Sequence, residues 1–276
     1  MIETTYNDLK HHLLNDLALK SDDIVFLFSG IWGLGKLENN NLNIISDAFK
    51  DVLQKGVLIV PTFSYSWNQN LNWNINEINC DEMGSFSKHT IKDPSFIRTN
   101  HPNFSVNILK TDYNGSIVDN FIDIENNTFG ENSIFGKLYN YSSKKRAFVL
   151  LLGGAFDDVL YRSTFIHFAQ QKIGVHHRFL KKIYDPSNQN YVEQYSRYLK
   201  QSEVLNKKLL NYFNFPINEN FTQYGEDLLK EKLLKIKKFK YYPSRIVNIF
   251  DSVNLMIQKY KENKFYSISK ESIKNG

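Results

Sequence analysis

Leu9, Leu13, Leu14, Leu17 and Leu19 recur at near-helical spacing on a polar background, which predicts an amphipathic helix over residues 4–19. Asp22 and Asp23 then open a continuous apolar run, Ile24-Val-Phe-Leu-Phe28, the pattern of a strand buried on both faces. Ser29-Gly-Ile-Trp-Gly-Leu-Gly35 follows as a glycine-rich turn leading toward a helix over about residues 41–54. A second strand, Val57-Leu-Ile-Val60, is stopped by Pro61, and a third spans Ala147-Phe-Val-Leu-Leu-Leu152. Strands alternating with helices predict an α/β fold: a single mixed sheet with a parallel portion, flanked by helices, its loops holding the site.

Residues 65–82, with two tryptophans and many asparagines, show no period and read as a long loop over the site, a pocket wall or lid. Beyond residue 190 the pattern predicts a helical C-terminal portion: helices at Ser196–Lys200 and Glu226–Ile236, and a closing amphipathic helix over Ser244–Gln258. With no flexible linker and no repeat, residues 1–276 read as one domain with a mostly helical lobe over about 190–276.

The 276 residues, 42% hydrophobic and 14% aromatic, suffice for a sizeable core. A single cysteine, Cys80, excludes an internal disulfide and a thiol-based zinc site, and with no signal peptide or membrane span in view the chain reads as cytoplasmic. The formal net charge of +5 owes much to the run Lys230–Lys240, which reads as a solvated helix face rather than a nucleic-acid surface.

Chemistry concentrates in the turns. The Ser29–Gly35 turn frees backbone N–H groups near a helix start, a setting suited to a phosphate, although its spacing matches neither a Walker loop nor a dinucleotide fingerprint. Thr62 and Ser64 follow Pro61 at a strand's end, on the ligand side of an α/β sheet. In Arg98-Thr-Asn-His-Pro-Asn-Phe-Ser105, Arg98 offers a fork of donors to a phosphate, and His101 reads as structural. Phe129-Gly-Glu-Asn-Ser133 reads as a serine-bearing turn entering an amphipathic helix, with Ser133 its candidate contact. The apolar run Leu150-Leu-Leu-Gly-Gly154 precedes a loop and then Ser163-Thr-Phe-Ile-His-Phe-Ala-Gln170, which presents His167 as a base at the sheet edge. His176 and His177 point apart and lack a third ligand, so no metal is expected.

Taken in order, Val60–Ser64, Met83-Gly-Ser-Phe-Ser-Lys88, Arg98–Ser105, Phe129–Tyr139 and Thr164–His167 resemble elements of the aminoglycoside 3-N-acetyltransferase family. The resemblance covers most of the chain, is strongest over residues 57–181, and implies that family's fold and an acetyl-CoA-dependent N-acetyltransferase. It implies CoA contacts from Ser29, Gly30, Ile31, Trp32, Gly33, Thr62, Ser64, Arg98 and Ser105, with Phe28 and Gly30 departing from the family's His-Ser-Ser-Leu-like turn. It assigns the base to His167, the histidine of a Thr-x-x-His-x-x-Glu element in which this chain has Gln170 for the glutamate. A neutral amide still orients an imidazole but does not stabilise imidazolium by charge, so Asp157, Asp158 and Glu82 become candidate substitutes. Glu82, Lys88, Asp157 and Ser133 are the candidate substrate contacts, Lys88 standing where relatives often carry glutamate.

The loss of two acidic groups, at Lys88 and Gln170, and the net basic charge favour a nucleotide-linked amino sugar for surface polysaccharide as the acceptor, with an aminoglycoside antibiotic as the alternative. The expected partners are a small-molecule amine and CoA, without metal, nucleic acid or membrane span, acting as a monomer or homodimer.

Overall fold

The computed structural model describes residues 2–64, 83–101, 104–122, 129–154, 164–173, 178–185, 190–198 and 222–262. In chain order its elements are β1 (Glu3–Thr4), α1 (Tyr6–His11), β2 (Ile24–Ser29), β3 (Lys36–Leu37), α2 (Asn43–Val52), β4 (Val57–Pro61), α3 (Ser85–Lys92), β5 (Phe96–Arg98), β6 (Val106–Leu109), α4 (Gly115–Ile122), α5 (Ile134–Ser142), β7 (Ala147–Leu152), α6 (Thr164–Lys172), β8 (Arg178–Asp185), β9 (Asn190–Tyr198), α7 (Thr222–Lys230), β10 (Leu234–Lys237), β11 (Ser244–Asn248) and α8 (Ile249–Glu262).

Seven strands form one mixed sheet in the order β10-β11-β7-β2-β4-β6-β5. The three central strands, β7, β2 and β4, run parallel, and an antiparallel pair flanks them on each side. The apolar run of β2 divides by parity, as a pleated strand buried on both sides must. Ile24 and Phe26 join the core formed with Phe135 of α5, Phe165 and Phe168 of α6 and Met256 of α8. Val25 and Leu27 join the opposite core, with Leu9 of α1 and Ile45, Ala48 and Phe49 of α2. Thr5 starts α1 with a reciprocal capping box: its hydroxyl accepts the Asp8 N–H, and the Asp8 carboxylate accepts the Thr5 N–H.

The predicted strands at 24–28, 57–60 and 147–152 and the helix near 41–54 are all present. Among the described residues the C-terminal part holds strands as well as helices, so the helices expected there are corrected. Ser196 lies in β9, which pairs antiparallel with β8, and the helix begun near Glu226 ends at Lys230. Leu234–Lys237 is then an edge strand, and Ser244–Asn248 is a strand that hands over directly to helix α8. Arg245, Ile246, Val247 and Asn248 pair with β7, so the central sheet is completed from the C-terminal part of the chain. The basic run is accordingly the rim of the sheet: Lys235 and Lys237 are exposed on β10, where lysines discourage edge-to-edge pairing. Among the described residues no helix is long and apolar enough to cross a membrane.

Candidate active site

The parallel strands β2 and β7 end side by side, Ser29 opposite Leu152, with α2 leaving toward one face of the sheet and α6 packed on the other. Loops that diverge from adjacent parallel strands make the crevice where α/β proteins place ligands. The predicted glycine-rich turn forms here as a single 3-10 turn over Ile31–Leu34. Its glycines are fixed by contact: a Cβ on Gly30 would lie 2.7 Å from the Gly154 Cα, and one on Gly33 only 1.8 Å from the Gly153 carbonyl oxygen. Gly30 N–H donates to the Leu152 carbonyl at 2.9 Å, and Tyr241 N–H donates to the Gly33 carbonyl at 3.2 Å. The first turn leaves the Ile31 and Trp32 N–H groups without an acceptor in the helix itself. The Trp32 side chain is 54% exposed and meets Tyr242 edge to face at 4.6 Å.

Beside this turn, Thr62, Arg98 and Ser105 converge in one hydrogen-bond network. Thr62 N–H and its hydroxyl donate to the Ser105 carbonyl at 3.0 and 3.1 Å, and the Ser105 hydroxyl donates to the Thr62 carbonyl at 2.8 Å. Arg98 donates from Nε to the Ser105 hydroxyl at 3.2 Å and from Nη2 to the Thr62 carbonyl at 3.1 Å. Thr62, Ser64 and Ser105 are buried and Arg98 is partly exposed. The two hydroxyls therefore serve the junction of β4 and β6, and Arg98 is the member of the trio that is partly exposed. His101 is buried as expected of a structural residue, its Nδ1 accepting the Phe104 N–H at 2.9 Å, and burial drives its pKa down to about 3.

His167 sits on α6 and is 7% exposed. Aromatic rings connect it to the network: Phe63, next to the buried Thr62, meets Phe104 edge to face at 5.0 Å, Phe104 meets Phe129 at 5.4 Å, and Phe129 meets the imidazole at 5.6 Å. The helix is fixed from below by Phe165, which packs edge to face on Phe26 of β2 at 5.4 Å. The imidazole is therefore packed among aromatic rings, and water has little access to it. Gln170 lies three residues on in the same helix, with its side chain outside the described residues.

Ser133 is the N-cap of α5: its hydroxyl accepts the Gly136 N–H at 3.2 Å and donates to the Gly130 carbonyl at 2.7 Å. The Phe-Gly-x-x-Ser pattern is thus a helix entry, and the Ser133 hydroxyl is spent on it. Lys88 is partly exposed on α3. Glu82, Asp157, Asp158, Cys80, His176, His177 and the predicted loop at 65–82 lie outside the described residues.

Two pairs near these elements were not foreseen. Glu131 pairs with Lys172 at the end of α6 at 2.6 Å, which holds its carboxyl below the ordinary range. Buried His12 stands between Asp16, 2.7 Å from Nδ1, and the Ser244 hydroxyl, 2.8 Å from Nε2. That order of groups is the one a hydrolytic triad uses, but Ser244 is fully buried and His12 is stacked on Phe239 at 4.1 Å, so the trio joins the N-terminal helix to β11. Neither the Glu131–Lys172 pair nor the His12–Ser244 contact carries a sequence signal, whereas His12 and Asp16 stand at i,i+4 spacing. A groove of about 450 Å³ between α2 and α3, edged by Lys50, His89 and Lys92, includes none of the predicted site residues.

The sequence model of the aminoglycoside 3-N-acetyltransferase family matches residues 28–261. No curated protein matches the chain. In fold it is similar to aminoglycoside acetyltransferase AAC(3)-IVa, solved as the apoenzyme, at a TM-score of 0.72 and 14% identity over 99% of this chain and 97% of that one. A mutant of that enzyme in complex with a gentamicin gives a TM-score of 0.71 and 14% identity over 97% and 92% of the two chains. AAC-IIIb in a binary complex with CoASH gives 0.67 and 16% over 95% and 97%. At these identities the likeness is one of fold.

Proposed function

Since the chain belongs to the aminoglycoside 3-N-acetyltransferase family, we propose that it transfers the acetyl group of acetyl-CoA to an amine of an aminoglycoside, with His167 as general base. The family match over residues 28–261 is the observation that carries this reading. The nucleotide-linked amino sugar expected from the net basic charge and from Lys88 and Gln170 gives way to the aminoglycoside, which the family favours. The structures of similar fold point the same way, one holding CoASH and another a gentamicin.

In the proposed reaction the amine nitrogen attacks the thioester carbonyl carbon as a ring nitrogen of His167 takes the amine proton. A C–N bond forms, the carbonyl oxygen becomes an oxyanion held by backbone donors, and the C–S bond breaks as that oxygen returns to a carbonyl. The departing thiolate takes the proton from the imidazolium, leaving an N-acetyl product and CoASH. No acyl-enzyme forms. Residues Ser29–Gly33 line the CoA side with their backbone, and Arg98, partly exposed, offers its guanidinium to a phosphate. Thr62 and Ser105 act by holding Arg98 and the strand ends in place, which follows from their mutual hydrogen bonds. Ser64, two residues beyond Thr62, is buried as well.

The test is thiol release from acetyl-CoA against a panel of aminoglycosides beside UDP- and dTDP-linked amino sugars, for the wild type and His167→Ala. Turnover with aminoglycosides, reduced at least about a hundredfold in the variant, is the expected result for loss of a general base. Turnover restricted to nucleotide sugars would overturn the acceptor, and a fully active His167→Ala would overturn the base.

A further inference from the structure

His167 departs from the pattern it resembles in having Gln170, a neutral amide, one helical turn on. An imidazole that acts as a base must be held in one orientation. The described structure puts an aromatic ring against it. Phe129 is 3% exposed, and its ring centroid lies 5.6 Å from that of His167 with the planes tilted by 59°. The ring is itself fixed from behind by Phe104 at 5.4 Å and Phe135 at 5.6 Å. Its backbone is fixed as well, because the neighbouring Gly130 carbonyl accepts both the hydroxyl and the N–H of Ser133. Two residues beyond Phe129, Glu131 grips Lys172, five residues beyond His167 on the same helix. The short segment 129–133 thus holds α6 at two points, with Phe129 at the base itself and Glu131 at the helix end.

We propose that Phe129 is a positioning residue of His167, fixing the orientation of the imidazole by packing its ring against it. The inference rests on the reading of His167 as base. The Glu131–Lys172 pair secures the segment that presents the ring.

A double-mutant cycle tests it, with steady-state rates for the wild type, Phe129→Leu, His167→Ala and the double variant. Phe129→Leu is expected to lower kcat about ten- to hundredfold, since small displacements of a catalytic group have effects of that size, with the KM for acetyl-CoA changed less than about twofold. Phe129→Tyr, which keeps the ring, is expected to restore most of the rate. In the His167→Ala background, Phe129→Leu should change the residual rate by less than about twofold, because groups acting as a unit are not additive. Phe121→Leu removes an equally buried ring of the same core whose neighbour is Tyr141, and it should lower the thermal midpoint with kcat preserved. Equal losses from Phe129→Leu in both backgrounds, or no rescue by a folded Phe129→Tyr, would overturn the role of Phe129 and leave His167 standing. A wild-type rate in His167→Ala would overturn the base assignment and this inference with it.

Discussion

Arg98 reaches across β6 to the carbonyl of Thr62, its Nη2 donating at 3.1 Å from strand β5 on the far side. With Nε on the Ser105 hydroxyl, two positions of the guanidinium are committed to the end of the sheet while the side chain stays partly exposed. If the guanidinium also meets a CoA phosphate, Arg98→Ala raises the KM for acetyl-CoA about tenfold, the size of one charge-assisted hydrogen bond, with a smaller change in kcat. Arg98→Lys keeps the charge without the fork and should resemble alanine more than wild type. A lowered thermal midpoint with an unchanged KM would assign the residue to the sheet alone.

His101 makes stability depend on pH. Its pKa is ordinarily 6.5 and is driven by burial to about 3 in the folded chain, so the unfolded chain binds the extra proton between those values. Stability contributed by the neutral ring is therefore complete above about pH 6.5 and is lost as pH falls toward 3. Between pH 7 and about pH 4.5 the loss from this residue is on the order of 2–3 kcal/mol. His12, also lowered, chiefly by burial, acts in the same direction. Urea titrations at the two pH values check this, and His101→Gln, which retains an acceptor for Phe104 N–H, should flatten the difference. A pH-independent midpoint in the wild type would refute the prediction.

How far the sequence could be read follows from where each residue's environment is decided. The runs Ile24–Phe28 and Ala147–Leu152 declare central strands because they lie between two cores and tolerate nothing polar. Leu234–Lys237 alternates with lysine at an exposed edge, and Ser244–Asn248 continues into α8 with no glycine or proline between them, so a single helical period can be read through both. Within the site, the residue types of Thr62, Arg98 and Ser105 were legible, but that the hydroxyls face each other was not, since only the pairing of β4 with β6 brings them together. Glu131 and Lys172 are 41 positions apart and carry no local signature.

Ser133 separates a structural serine from a substrate contact. Its hydroxyl is buried and both accepts and donates within the entry to α5. Ser133→Ala should cost about 1 kcal/mol of stability, the usual value of an N-cap, with the KM of both substrates unchanged. Chemical denaturation together with steady-state kinetics decides the matter. A several-fold rise in the acceptor KM without loss of stability would return Ser133 to the substrate side.

The glycine-rich turn makes the sharpest contrast. At Gly33 a methyl group would stand 1.8 Å from the Gly153 carbonyl oxygen, and both partners are backbone at the ends of neighbouring central strands. No rotamer relieves that overlap, so Gly33→Ala must separate the loops that define the crevice. Gly115, the first residue of α4, has nothing within 4 Å of its added methyl group and no positive φ. Gly115→Ala should therefore leave activity intact and add about 0.5 kcal/mol of stability by restricting the unfolded chain. Gly33→Ala is expected to lose more than about 2 kcal/mol, as overpacked sites do, and to weaken acetyl-CoA binding beyond what the lower stability explains. Calorimetric titration with CoA at a temperature where both variants remain folded compares them. Equal CoA affinity in the two would mean that the close approach of Gly33 and Gly153 serves only the fold.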